Sequence, residues 1–179
     1  MTAAVPPAFA DQMIAALPAL RRYAVALCGN AALADDLVQD CIERALTRAG
    51  TLQSLAQMPA WLRSIVHNLY LDELRRRRVR GVQVDVETVS NDLASSQPAP
   101  DRHDIGDVTR AMAQLSVEHR QILVLAGVEE LSYREMADEL AVPQGTIMSR
   151  LARARTALRA LMQPGGKQPA LRVSMGARS

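Results

Sequence analysis

Cysteine is nearly absent from this chain. Cys28 and Cys41, two residues in 179, furnish neither a disulfide framework nor a metal-ligand set, and they fit a reduced, cytoplasmic setting. A redox role for the two thiols, should they lie on neighbouring helices, stays open. Histidine is equally sparse: His67, His103 and His119 have no ligand spacing, so no metal centre is expected. There is no glycine-rich phosphate loop, and neither thiol has a base beside it in sequence, so the usual marks of an enzyme are missing. The reading is no catalytic residue, no metal and no cofactor. Long apolar runs are missing too. The longest uncharged one, Met13 to Leu20, is far short of the roughly 20 residues that cross a bilayer, so no direct membrane insertion is expected. Ala8-Phe9-Ala10 resembles a signal-cleavage site only faintly, because no basic segment or apolar core precedes it. Aromatic residues are 3% of the chain.

What the chain does contain is that of an ordinary folded protein, with 49% hydrophobic and 22% charged residues. Its length suits one medium domain or two small ones. The net charge is only +2, but the basic residues are 20 Arg and a single Lys, Lys167. Arginine is the better fork for phosphates and guanine edges, although GC-rich coding also inflates it, so position counts for more than number. Residues 9–80 carry ten Arg and seven acids, residues 81–107 six acids and Arg102 alone, and residues 144–162 four Arg and no acid. Charge divided into blocks in this way suggests separate modules.

Apolar spacing predicts helices throughout 9–80. Cys28-Gly29-Asn30 ends the first, 31–48 forms the second, Ala49-Gly50-Thr51 breaks it, and a loop or short helix follows to Pro59. A long helix then starts near Ala60, with Pro59 suited to its first turn, and runs into Arg75–Arg78. Residues 81–103, with Pro98, Pro100 and paired serines, read as a flexible acidic linker. Helical pattern resumes near Asp104 and continues to Met162, and 163–179 read as a disordered tail. The fold class is therefore all-α: two small helical domains, 9–80 and 104–162, joined by a flexible acidic linker.

The second domain ends in a helix-turn-helix. Ser132 and Glu135 have capping-box spacing, Ala141-Val142-Pro143 makes the turn, and Ile147, Leu151, Ala154, Leu158 and Leu161 form an inward stripe on the last helix. Ser149, Ala152, Arg153 and Thr156 point outward, with Arg150 and Arg155 on the flanks. Small residues among arginines would let the backbone lie deep in a major groove. A plain solvated helix would usually intersperse acids, and this one has none. In the first domain Leu62, Ile65, Val66 and Leu69 form the buried stripe of the 60–78 helix. Trp61, Asn68, Asp72 and Arg75 share another face, a set suited to an unpaired base and its phosphates. The blander reading puts Trp61 in the core and pairs Asp72 with Arg75 or Arg76. The helix 31–48 bears Asp35, Asp36, Gln39, Asp40 and Glu43. Such a face repels DNA, so a partner there would be a protein.

These segments resemble bacterial sigma factors. Asp35 to Asp40 is similar to their core-polymerase-binding segment, Trp61 to Arg76 to the segment that reads the −10 element, and Gly145 to Arg155 to the −35-reading helix. Leu115 to Leu123 is similar to the start of the C-terminal sigma domain. Order, linker and length match the extracytoplasmic function (ECF) sigma factors over residues 9–162. The resemblance implies an alternative sigma factor that binds core RNA polymerase and directs promoter-specific initiation. By residue, it implies Asp36, Gln39, Asp40 and Glu43 against polymerase. It implies Trp61, Asn68, Asp72, Arg75 and Arg76 on a flipped −10 strand, and Ser149, Arg150, Arg153, Arg155 and Thr156 on the −35 duplex. Melting would draw on binding of the unstacked strand, without ATP. The linker would thread toward the polymerase interior, and an anti-sigma factor would hold the protein inactive.

The chain departs from the family pattern at several places. Ile42 and Leu46 stand where family members often have Phe and Trp. The melting loop Thr51 to Pro59 has no aromatic residue, which leaves stacking to Trp61, Tyr70 or non-aromatic walls, and Met148 replaces a common basic residue. The rival reading is a sigma mimic that sequesters an anti-sigma factor without touching DNA, but such a protein should have lost the groove-facing arginines. A dimeric helix-turn-helix repressor would leave the first domain unexplained.

Overall fold

The structure, a computed structural model, describes residues 6–79 and 102–163, with side chains described from Gly106 onward in the second stretch. Most of the expected linker and tail lies outside the described residues. Among the described residues all regular structure is helical. It comprises α1 (Pro7–Cys28), α2 (Ala31–Thr47), single 3₁₀ turns at Ala49–Thr51 and Leu55–Gln57, α3 (Met58–Val79), α4 (Arg102–Gln114), α5 (Val117–Gly127), α6 (Tyr133–Leu140) and α7 (Gln144–Met162).

Local chemistry sets most of these boundaries. α1 ends because Gly29 takes the left-handed conformation, φ 71°, at no steric cost, and its N–H donates to Val25. Asn30 then caps α2, its Oδ1 accepting from the Leu33 N–H at 2.8 Å. α3 begins at Met58, two residues ahead of the sequence reading, with Pro59 in its first turn. α4 likewise starts at Arg102, slightly before the expected point. Ser132 and Glu135 close the expected capping box at the start of α6. Ala141, φ 52°, makes the left-handed turn into α7; a non-glycine residue held there marks a turn set by its surroundings.

α1, α2 and α3 pack on one another, and so do α5, α6 and α7, with α4 against α7. In the first group Tyr23, Leu27, Met58, Leu62 and Val66 have 0 or nearly 0% exposure, together with Leu69, so the expected stripe of α3 is the buried one. In the second, Leu125, Met136, Ile147, Leu151 and Ala154 are buried, while Leu158 and Leu161 are half-buried. The groups also meet: α1 lies against α5, and their apolar interiors are continuous.

Candidate nucleic-acid and polymerase interfaces

The acidic residues of α2 follow from its helical phase. Ala34, Leu37, Cys41 and Ala45 turn inward, which leaves Asp36, Gln39, Asp40 and Glu43 exposed. Asp36, Gln39 and Asp40 border a groove whose other side is Glu73, Arg76 and Arg77 of α3. Asp35, beside them, is ion-paired with Arg21 of α1 at 2.7 Å. The hydrogen bond from Arg21 holds its carboxyl below the usual range.

On α3 the sequence-derived face is only partly free. Trp61 is half-buried and meets Phe9 edge-on, with ring centroids 6.2 Å apart, so its core role is real, while its remaining surface lines a cleft of about 740 Å³. Asn68 is exposed. Asp72 is half-buried and accepts from Arg75 at 2.9 Å, which is the surface pairing of the blander reading. Arg76 is exposed and 3.9 Å from Glu73. Tyr70 is a correction: it is buried, and its hydroxyl accepts from Arg120 at 2.9 Å, so in this conformation it cannot stack on a base.

The outward face of α7 is as expected. Ser149, Arg153, Arg155 and Thr156 are exposed and Arg150 is half-buried. Arg153 Nε donates to the Ser149 carbonyl at 3.2 Å, and Thr156 donates to Ala152 at 3.0 Å. These bonds hold the side chains along the helix while their outer surfaces stay available. Met148 is 52% exposed.

The two thiols have separate hydrogen-bond acceptors. Cys28 donates to the Asn30 carbonyl and Cys41 to the Leu62 carbonyl. Burial raises both pKa values, that of Cys41 to about 12, so neither favours the thiolate that reactive cysteines need.

Sequence reasoning missed a cluster of buried charge where the two helical groups meet. Arg63 of α3 donates from Nε to Glu139 Oε1 at 2.9 Å, from Nη2 to Glu139 Oε2 at 2.5 Å, and from Nη1 to Glu129 Oε2 at 3.0 Å. The side chains of all three are under 10% exposed. Burial alone would lower the Arg63 pKa, but the Glu139 hydrogen bond and the charges of Glu139 and Glu129 outweigh it and raise the value. Nearby, Arg120 of α5 donates to the Leu27 carbonyl at 2.8 Å and to Tyr70, and also to the Ala113 and Leu115 carbonyls. One signal was available: Arg63 shares a helical face with Val66 and Tyr70, both buried.

Two helical modules, the second a helix-turn-helix with an acid-free basic face, define a nucleic-acid-binding class of protein. A family model described as the Sigma2 domain of PhyR matches residues 13–67, and one described as Sigma-70, region 4 matches residues 105–158. The chain is 37% identical over 159 residues to the ECF RNA polymerase sigma factor EcfG of Rhodopseudomonas palustris, covering 88% of this chain and 87% of that protein. It is 34% identical to the ECF RNA polymerase sigma factor SigL of Mycobacterium tuberculosis, covering 82% and 84%. Among solved structures, the sigma factor RpoE of Bartonella quintana, in complex with the anti-sigma factor NepR, matches with a TM-score of 0.66 and 29% identity, over 86% of this chain and 96% of that one. The chain belongs to the ECF family of RNA polymerase sigma factors. Membership makes it a transcription-initiation factor.

Proposed function

We propose that this sigma factor divides its work between oppositely charged surfaces. Asp36, Gln39, Asp40 and Glu43 dock on core RNA polymerase. Trp61, Asn68, Asp72, Arg75 and Arg76 take the −10 strand. Ser149, Arg150, Arg153, Arg155 and Thr156 read the −35 duplex. Residues 9–80 and 104–162 are the two working domains and 81–103 connect them. The carrying observation is the charge of the exposed faces: α2 presents Asp36, Asp40 and Glu43, which repel DNA, while α7 has four Arg and no acid. An anti-sigma factor is the third partner, a reading supported by the Bartonella quintana relative having been solved with one. The site of action is the cytoplasm; among the described residues no helix is long and apolar enough to cross a membrane. No residue is assigned a catalytic role.

The test is transcription in vitro from fragmented genomic DNA of the source organism, with core polymerase, with and without this protein, and sequencing of RNA 5′ ends. New starts sharing two upstream elements are expected. Asp40→Arg should weaken polymerase binding and spare duplex binding. Arg153→Ala should do the reverse, at about tenfold for one base or phosphate contact. Polymerase binding without new starts would favour the sigma mimic. Equal loss of both activities in either variant would remove that residue from its face.

A further inference from the structure

Two clefts lie where the helical groups meet. One, of about 310 Å³, has Ser64, His67 and Asn68 of α3 on one side and Arg150 of α7 among the residues of the other. Asn68 belongs to the −10 set and Arg150 to the −35 set, yet here they share a single cleft. The elements they would read are roughly 25 base pairs apart, about 85 Å of duplex at 3.4 Å per pair. In the larger cleft the wall from Thr51 to Ser64 faces Glu135 and Asp138, exposed carboxylates that oppose entry of a phosphate strand. This closed arrangement therefore cannot engage both elements at once.

We propose that the Arg63–Glu129–Glu139 cluster is a latch that holds the two helical units closed and keeps the chain off promoter DNA until they separate. The proposal rests on the face assignments above. The guanidinium fork grips Glu139 through two parallel bonds and Glu129 through a third, which fixes orientation as well as proximity. Buried charges gain little net stability over apolar contacts, because their desolvation offsets the attraction. Separation returns all three ions to water; it also parts the apolar contact of α1 with α5 and the Arg120 bonds to Leu27 and Tyr70, while the side chains packed within each unit keep their partners. The latch is thus strong in geometry and weak in net energy, as a releasable contact must be.

The test places dyes on Gln12→Cys of α1 and Arg159→Cys of α7, both exposed positions, in a Cys28→Ser background of the full chain, and reads single-molecule energy transfer. The parent should show one high-transfer population. Arg63→Met strands two buried carboxylates and should move at least half of the molecules to low transfer with helical circular dichroism unchanged. Glu139→Gln should move fewer. Arg63→Met with Glu129→Gln and Glu139→Gln removes the ion pairs without stranding a charge and should stay at low transfer; a return to high transfer would overturn the latch, because the apolar contact of α1 with α5 would then suffice for closure.

The same chains are then titrated with a duplex carrying the upstream element found by transcription mapping. Arg63→Met should bind it about tenfold more tightly than the parent. Direct loss of a positive charge predicts the opposite sign, so tighter binding reports opening. High transfer retained in every folded variant would overturn the latch, and Glu139→Gln decides the matter alone if Arg63→Met does not fold. Opening without tighter duplex binding would overturn the restraint. Opening with no duplex binding by any chain would count against the α7 assignment and leave the closure standing.

Discussion

The interior of the α1–α3 group and the seam between the two groups are both buried, yet they are built from different materials. Leu27, Met58, Leu62 and Val66 are fully buried apolar side chains, whose burial is favourable in almost any well-filled arrangement. The seam has apolar contact where α1 meets α5, but its directional bonds come from Arg63 and Arg120. Apolar burial sets how much stability is available. Guanidinium bonds add little net stability and demand one geometry. A protein that must keep its units folded and still part them gains from this division.

The comparison is most exposed to two substitutions. Leu62→Ala should cost about 3 kcal/mol, the usual price of a buried cavity that closes only in part. Arg120→Met should cost about 2 kcal/mol, because it strands the Leu27, Ala113 and Leu115 carbonyls and the Tyr70 hydroxyl. Urea unfolding followed by circular dichroism measures both. The difference in kind is sharper than that in size: Arg120→Met should also loosen the units, read as energy transfer between the dyes on α1 and α7, and Leu62→Ala should not. Loosening by Leu62→Ala alone would invert the division drawn here.

Much of this was legible in the sequence, and the reason is range. A helix is a local object, so the αL glycine after Cys28, the Ser132–Glu135 box, the turn at Ala141 and the inward residues of α3 and α7 announce themselves within a few positions. The exposed acids of α2 and arginines of α7 follow from the same periodicity. The seam does not. Arg63 finds Glu129 and Glu139 at separations of 66 and 76 residues, and helical spacing carries no information at that range. Tyr70 was misplaced for the same cause: its partner, Arg120, is 50 residues away. The 3₁₀ turns at Ala49–Thr51 and Leu55–Gln57 fall where sequence offered only a loop or short helix, because such short turns carry too few residues to show a period.

An exposed ion pair sharpens the comparison from the other side. Arg21 and Asp35 join α1 to α2 at 2.7 Å, but their side chains are 43% and 54% exposed. Water and salt screen such a pair, so Asp35→Asn should cost less than about 0.5 kcal/mol. The Asp35 pKa is lowered in the folded chain. The contribution is therefore present above the ordinary carboxylate pKa and fades as pH falls through the lowered folded value. A loss in urea unfolding as large as that of Arg120→Met would show that accessibility is a poor guide to these pairs.

His67 gives the smallest effect and the most specific one. It is half-buried at the cleft between the groups, with no hydrogen-bond partner on Nδ1. The cleft also holds Ser64 and Asn68 of its own helix, Glu118 and Gln121 of α5, Glu139 of α6 and Arg150 of α7. Burial lowers its pKa, partly opposed by the charge of Glu118. The closed form therefore favours the neutral ring. Its stabilisation is complete above the unfolded pKa, about 6.5, and is lost as pH falls from there toward the lowered folded value. Opening rehydrates the ring, so acid should favour the open form. Energy transfer between the dyes on α1 and α7 should fall modestly from pH 7.5 to pH 5.5, and His67→Gln should remove that dependence. A His67→Gln chain with an unchanged pH response would show that the imidazole is not the source of the sensitivity and remove it from the seam's pH dependence.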